Sequence, residues 1–474
     1  MAYDVIVVGG GPAGLMAAAA AGLGGARVLL LEKKDKLGRK LAISGGGRCN
    51  VTNNKPIDEL IRHIPGNGRF LYRALSTFGP REIICFFEEL GVRLKEEDNG
   101  RMFPVSDRAK DVVAALVRRV REAGVTIRLH APVAEVIYEG GRVRGVRLVS
   151  GEVACARAVV VAVGGMSVPH TGSTGDGYAW ARAAGHTVTE LYPTEVPITS
   201  DESFIRDRRL QGLALRDVVL TVWHPTKGKP LVAHRGDMLF THFGLSGPAA
   251  LRCSQFVVKA RKETGASAVT ITVDLLPDWT EEQLQRERDR LARTQPKKTL
   301  KNALKAFLPE RLAPLVLERA KIPGDVTCAH VSKVAWRGIV RLVKAFPVRA
   351  TGTRPLEEAF VTGGGVHVKE IDPRTMQSKL MHGLYFCGEI LDVHGYTGGY
   401  NITAALSTGY VAGTSAAEQA LAERAGAEAE PRAAGEGAAS SFMASGSGSA
   451  TRGGRRGAGR AEQGADSRRD DLHL

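Results

Sequence analysis

No run of about 18 apolar residues occurs in this chain, so no membrane span is expected. The six cysteines stand alone, at 49, 85, 155, 253, 328 and 387, with no CxxC pair. That excludes a zinc ribbon and a thioredoxin-type dithiol, and scattered thiols fit a reducing compartment. No spacing of His, Cys, Asp and Glu suggests a metal site. The start, Met1-Ala2-Tyr3-Asp4, lacks a basic leader region, so no secretory signal is expected and a cytoplasmic location is. Aromatic residues are only 6%, and no solenoid repeat is apparent.

Glycine is abundant instead, at 56 of 474 residues against a usual ~7%. Such a chain has many backbone sites for positive φ or close ligand approach. With 43% hydrophobic residues and a length of two to four domains at ~150 residues each, it can bury a large core. A disulfide-stapled mini-protein, a collagen and a wholly disordered chain are all excluded. The net charge is +15, which suits acidic ligands or nucleic acid. Between 281 and 345 there are 15 Lys/Arg against 7 Asp/Glu, a local excess of +8.

Residues 3–8 read as a buried parallel strand, the Ala-rich stretch to Leu23 as a helix, and Arg27–Leu31 as a second strand ending at Glu32. Residues 33–54 read as a Gly-rich basic loop, and 69–90 as helical. Strands are expected at 125–129, 133–138 and 142–148, with Gly140-Gly141 as a hairpin turn, and again at 159–163. After Pro193 and Pro197 short β-like runs follow, then a charged helical stretch from Thr280 to about Arg319. Beyond Thr351 the α/β style returns, with a strand at 384–387 and a helix at 401–412. The expected fold is α/β: a Rossmann-like nucleotide-binding domain made discontinuous by a β-rich plus helical insert. Its parts are 1–190, the insert 191–350, then 351–415, with a low-complexity tail at 416–474 that is disordered from about 425.

Three segments carry chemistry. In Gly9-x-Gly11-x-x-Gly14, Gly9 permits the turn from strand to helix and Gly11 lets a pyrophosphate approach the backbone. Gly14 lets helix and strand pack, and the helix start offers free N–H groups to phosphate. Pro12 and Ala13 belong to the same turn, and Glu32, with Lys33 beside it, can accept the ribose hydroxyls. This fingerprint alone does not separate FAD from NAD. The second segment, 37–53, brings Ser44, Gly45, Gly46, Gly47 and Asn50 with the cations Arg39, Lys40 and Arg48. The third, 383–401, delivers Gly388, Glu389 and Asp392, then opens a helix behind Gly398, Gly399, Tyr400 and Asn401. Its partial positive charge suits the pyrimidine edge of a flavin, and Glu389 or Asp392 can bind ribityl hydroxyls. These two segments favour FAD.

Over about residues 1–415 the chain resembles the BaiN / aminoacetone oxidase-like family of bacterial FAD flavoproteins. The resemblance is carried by 9–14, 38–53, 384–401, the block from Asp237 to Pro248, and Val361–Val366. It implies a split two-dinucleotide-type FAD domain with the cofactor contacts named above; Val133, and Gly164 where the chain passes the dinucleotide again after 159–163, are further expected contacts. It implies one of three activities: 3-dehydro-bile-acid reduction, aminoacetone oxidation or ribosomal RNA dihydrouridine synthesis. Some relatives read Asn, apolar, Gln-Trp after the last glycines, where this chain has Asn401-Ile402-Thr403-Ala404.

Hydride transfer also needs a proton donor near the substrate. Cys49, beside Arg48, is the first candidate and His242 in the insert the second; His170 and His394 are weaker, and Cys387 reads as core. Neither Gly164-Gly165 nor Gly363–Gly365 completes a second dinucleotide fingerprint, which leaves NAD(P)H, as reductant, to bind transiently at the flavin face. The expected reaction is NAD(P)H-dependent reduction of a conjugated C=C bond. Ribosomal RNA is the leading substrate because Arg286, Arg288, Arg290, Arg293, Lys297, Lys298, Lys301 and Lys305 make the insert basic. The segment Thr451–Arg460 has an RGG-like composition. A small-molecule enone or amine is the alternative substrate, and a flavin-stabilised RNA-binding or assembly factor without turnover the alternative of another class. Oligomeric state is not legible.

Overall fold

The computed structural model describes residues 3–439, with side chains to 427. Strand β1 (Val5–Val8) leads through a tight turn into α1 (Pro12–Leu23) and returns as β2 (Val28–Leu31). Every residue of both strands is buried, and α1 is buried continuously from Ala13 to Ala21. A helix enclosed on all sides has no use for a polar face, and alanine lets its neighbours approach closely. Strands β3 (Thr126–Arg128) and β4 (Ala158–Val161) join the same sheet.

The chain then passes β5 (Tyr192–Thr194) into a second body. There, β6 (Ile198–Ser200), β7 (Ala214–Trp223), β8 (Pro230–Phe240) and β9 (Gly244–Ser246) precede α2 (Pro248–Thr264). Then come β10 (Val269–Asp274), α3 (Glu281–Thr294), α4 (Lys333–Lys344) and β11 (Phe346–Thr353). The return runs through β12 (Val361–Gly363), β13 (Leu384–Phe386) and α5 (Tyr400–Ala439).

The main sheet is parallel throughout, in the order β13-β4-β1-β2-β3. The intervening body is a closed antiparallel barrel, β6-β9-β8-β7-β10-β11, with β6 closing on β11. β5 and β12 pair antiparallel where the chain leaves and re-enters the first domain. Each body has its own apolar core: Ile6, Leu15, Met16, Leu29 and Phe386 in one, and Trp336, Phe204, Phe240 and Phe346 in the other. The hairpin expected at Gly140-Gly141 is present, both glycines having positive φ.

The expected helix at 69–90 is instead a 3₁₀ turn (Gly68–Leu71) and two helices, Tyr72–Thr77 and Pro80–Glu89. Pro80 disfavours helical backbone at Gly79, so the break falls there. The stretch 280–319 is likewise three helices, Glu281–Thr294, Leu300–Leu304 and Ala313–Arg319, with Pro296 and Pro309 in the gaps.

The 415 boundary also needs correction. α5 runs past it with Ala416, Ala417 and Ala420 buried, Glu423 paired with Arg142, and Arg424 on the buried Asp4. The described residues up to Arg424 form one compact unit, and those beyond it, 425–439, are helical. Thr451–Arg460 lies outside the described residues. Within the compact unit, α5 docks on α1 through Gly409 and Gly413, where a Cβ would collide with the carbonyl oxygens of Ala13 and Ala17. That contact carries the late glycine turn to the first one. No described helix is long and apolar enough to cross a membrane.

Candidate functional site

A cavity of about 1030 Å³ runs from the β1–α1 turn to the barrel. At its first end Gly9 has φ +106° and its amide donates to Leu31 O at 2.8 Å. A Cβ there would stand 2.5 Å from Ala162 O, so only glycine fits. Gly11 borders open cavity, with nothing within 4 Å of its would-be Cβ. The first amides of α1 have no intrahelical acceptor and are available to an anion. Glu32 turns one carboxylate oxygen to Gly10 N and the other to Lys34 N, both at 2.8 Å, which fixes it at the cavity wall. Lys33 lines the wall and bonds Thr174 and Asp176. Pro12, Ala13, Val133 and Gly164 also line this end.

The 37–53 segment forms the middle. A short helix, Arg39–Ile43, runs into a turn where Gly45 and Gly46 are left-handed, at φ +57° and +68°. Arg39, Lys40, Ser44, Gly45, Gly46, Arg48 and Asn50 line the cavity. Their charges are already partnered. Lys40 Nζ donates to Glu389 Oε2 and Ser167 Oγ, both at 2.7 Å, Arg39 pairs with Asp35, and Arg48 bonds Glu97 and Asp107 and lies over the Phe103 ring. Burial by itself would raise Glu389, but Lys40, Thr362 N and Ser167 outweigh it and hold the carboxyl below its usual range.

The late turn closes the far end with Gly388, Glu389, Gly398, Gly399, Tyr400 and Asn401. Asn53 Nδ2 donates to Gly398 O at 2.9 Å, and Thr52 and Thr403 hydroxyls meet at 2.7 Å, which ties the early loop to the late turn. Asn401 grips Gly395 through both backbone atoms, at 2.7 and 2.8 Å. The barrel supplies Arg235, Gly236 and Asp237 from β8, and Pro248, Leu251 and Arg252 from α2. Tyr396 and Thr397 complete the wall.

Seven residues expected at the site, the weaker candidate His170 among them, are not on the cavity. Cys49 is fully buried and its thiol is pushed up to about 12 by burial, while Arg48 points its charge at carboxylates; it is not a poised donor. His242 is exposed in the β8–β9 turn against Phe243, outside the cavity. Gly14 faces inward, where a Cβ would strike Gly9 O, so its role is packing alone. Gly47 lies beyond the lining residues, as does Asp392, whose carbonyl accepts from Asn67 Nδ2 at 2.7 Å. His394 is buried behind the wall, with its Nε2 3.2 Å from Gln255.

Sequence reading missed Trp180, Phe103, Arg235, Arg252 and Tyr396. For Arg252 a signal existed: it stands four residues after Pro248 on one helix, so both share a face. Among the described residues no His/Cys/Asp/Glu group could hold a metal ion.

FAD fits the residues present. The open side of Gly11 is a cradle that any side chain would fill, and Asn50 Oδ1 and Asn53 Oδ1, on lining residues, are buried acceptors without a protein donor. The cavity is lined both by the start of α1, at Gly11–Ala13, and by the start of α5, at Tyr400–Ile402.

A family model described as HI0933-like protein Rossmann domain matches residues 3–415. The chain is 31% identical over 430 residues to a 3-dehydro-bile acid delta(4,6)-reductase of Clostridium scindens, covering 87% of this chain and 98% of that protein. It is 32% identical over 410 residues to a ribosomal RNA dihydrouridine synthase of Escherichia coli, covering 86% and 96%. It is 32% identical over 416 residues to that of Haemophilus influenzae, covering 87% and 98%.

Proposed function

The chain belongs to the HI0933-like family and is an FAD-dependent oxidoreductase, and from that footing we propose that it uses NAD(P)H to reduce a conjugated C=C bond, that of uracil in ribosomal RNA. The observation that carries this reading is the single cavity joining the Gly9–Ala13 turn, the Gly398–Asn401 turn and the barrel wall. FAD bound there would supply the hydride-carrying ring, with NAD(P)H as the source of the hydride. Gly11, Ala13 and Glu32 hold the adenosine and phosphate end. Asn50, Asn53 and the late turn hold the other end, while Pro248, Leu251 and Tyr396 shield it from water.

Two relatives that act on ribosomal RNA support the uracil substrate, as does the charge of the insert. On α4, Lys333, Arg337 and Arg341 are exposed at four-residue spacing with no carboxylate partner among the described residues, a row suited to tracking phosphates. A ribosomal RNA substrate would agree with a cytoplasmic location. The bile-acid reductase relative supports a second reading, the same chemistry on a steroid-type enone.

Anaerobic NAD(P)H should bleach the yellow holoprotein, and uracil-containing ribosomal RNA should restore its colour. Cells lacking the gene should lose dihydrouridine from ribosomal RNA by nucleoside mass spectrometry, and regain it with the gene. Undiminished dihydrouridine would remove the RNA substrate. Reoxidation by a 3-oxo-4-ene steroid would then favour the second reading, peroxide release with aminoacetone an oxidase, and RNA binding without any turnover an assembly factor.

A further inference from the structure

The cations along the cavity are not equivalent. Lys33, Arg39, Lys40, Arg48 and Arg235 each meet a carboxylate: Asp176, Asp35, Glu389, Asp107 and Asp217 respectively. Lys36, Arg101 and Arg252 meet none within ion-pair distance among the described residues; Lys36 is exposed and Arg101 donates to Asp98 O at 3.0 Å, whereas Arg252 is half-buried on the barrel helix α2. Its Nη2 reaches Thr397 O at 3.4 Å, and its Nε is buried with no partner. A partly buried guanidinium left without an anion is costly unless something negative arrives during function.

Behind it stands Glu195, fully buried between β5 and β6. One oxygen accepts from Thr397 N at 2.7 Å and the other, Oε1, has no partner. Thus one backbone residue, Thr397, receives Arg252 on its carbonyl and donates to Glu195 from its amide. Glu195, Arg252 and Thr397 come from three separate stretches of chain and converge at the barrel end of the cavity.

Resting on the C=C reduction proposed above, we infer that Arg252 binds the carbonyl oxygen of the conjugated substrate and that Glu195 is the positioning residue that sets the net charge behind it. Uracil and a steroid enone share this unit, a C=C bond conjugated to C=O. Hydride adds at the β carbon, the π pair of the C=C bond shifts to place an enolate charge on the carbonyl oxygen, and a proton from water completes the α carbon. The balance is one hydride, originating in NAD(P)H, and one proton. Arg252 opposes the charge that appears on oxygen, which is larger in the transition state than in the bound substrate.

Burial pushes Glu195 up to about 7, only partly offset by Thr397 and Arg252. The groups facing it are Arg252, Cys253 and Tyr396, and burial pushes the thiol and the phenol up, so both stay neutral. His234 on β8, whose ring meets Tyr396 edge-on, is pushed down to about 4 by burial and is also neutral. Tyr400, near Arg252, is pushed up to about 12, again by burial. Among these neighbours Glu195 alone changes charge across neutrality. Below that point the Arg252–Glu195 pair carries a positive charge, and above it none, so affinity for an oxyanion falls as pH rises.

The test uses FAD-loaded full-length protein and pentafluorophenol, an enolate-like aryl oxyanion that stays ionised through neutral and mildly alkaline pH. Binding is read from the perturbed flavin absorbance, without turnover. Arg252→Met should weaken binding about 10- to 100-fold, the loss of a hydrogen bond to a charged group. Arg252→Lys should recover part of it, with FAD stoichiometry unchanged in both. Arg252→Gln makes the same comparison if the Met variant holds FAD poorly. In the native protein affinity should fall about tenfold from below to above neutrality, as expected for one unit charge a few Å away. Glu195→Gln should flatten that slope. Native affinity in Arg252→Met overturns the oxygen-binding role, and an unchanged slope in Glu195→Gln overturns the positioning role. If the probe depends on Arg252 while neither uracil RNA nor any enone reoxidises the flavin, the oxyanion site stands and the reduction reading fails.

Discussion

Gly409 faces Ala13 so closely that a Cβ would stand 2.3 Å from the Ala13 carbonyl oxygen, and one turn later a Cβ on Gly413 would stand 2.1 Å from that of Ala17. This contact joins the first helix of the chain to the last. It places Tyr400-Asn401 across the cavity from Gly11. Gly409→Ala or Gly413→Ala should therefore destabilise the fold by about 1–3 kcal/mol through overpacking, and should loosen FAD as well. Urea unfolding with parallel measurement of bound flavin checks both effects. Full stability in either variant would contradict the contact.

Gly11 separates binding from folding. Its would-be Cβ meets nothing within 4 Å, yet it lines the cavity. Gly11→Val should fold with a melting temperature close to that of native apoprotein and emerge colourless, since the side chain occupies the pyrophosphate approach. A yellow Gly11→Val protein would show that the phosphates lie elsewhere.

Lys40 and Glu389 are 349 residues apart in sequence and 2.7 Å apart in space, with side-chain exposures of 25% and 20%. Lys40→Met leaves Glu389 enclosed without its cation and should cost about 1–3 kcal/mol. Because Glu389 is held below its usual range when folded, its contribution is present above the unfolded carboxylate pKa. It is lost as pH falls through the lower folded value. The gap between native and Lys40→Met stabilities should accordingly narrow in acid; a gap independent of pH would argue against the pair.

Glu195 has the opposite sign. Its folded value, about 7, lies above the ordinary 4.5, so the folded state holds a proton that the unfolded state releases. Native stability should fall as pH rises between those values, and Glu195→Gln should gain on the native protein over the same interval. Denaturation at pH 5 and pH 8 checks the crossover.

Thiol labelling discriminates among the cysteines. Cys85 and Cys155 are exposed, whereas Cys49, Cys253, Cys328 and Cys387 are buried. Iodoacetamide at mildly alkaline pH should modify the first two and spare Cys49, whose thiolate is suppressed by burial. Rapid native labelling of Cys49, located by peptide mass spectrometry, would restore it as a reactive group.

Local pattern fixed the strand–turn–helix start. The all-apolar run Val5–Val8, the Gly9–Gly14 spacing and Glu32 at the end of the next strand each report their own backbone, and a βαβ turn is a short-range object. The hairpin at Gly140-Gly141 and the switch to β-like runs after Pro197 were legible for the same reason. Sequence also marked the two later glycine-rich segments, because close approach needs glycine wherever it occurs. What it could not determine was the direction in which side chains point once distant segments meet. Arg48 adjoins Cys49 in sequence, yet tertiary contacts with Glu97 and Asp107 turn its charge away. His242 sits in a conspicuous block, yet barrel closure puts it outside and brings Arg252 in. Glu195 carries no local signal at all, since its character comes from desolvation by three segments that only the folded chain assembles.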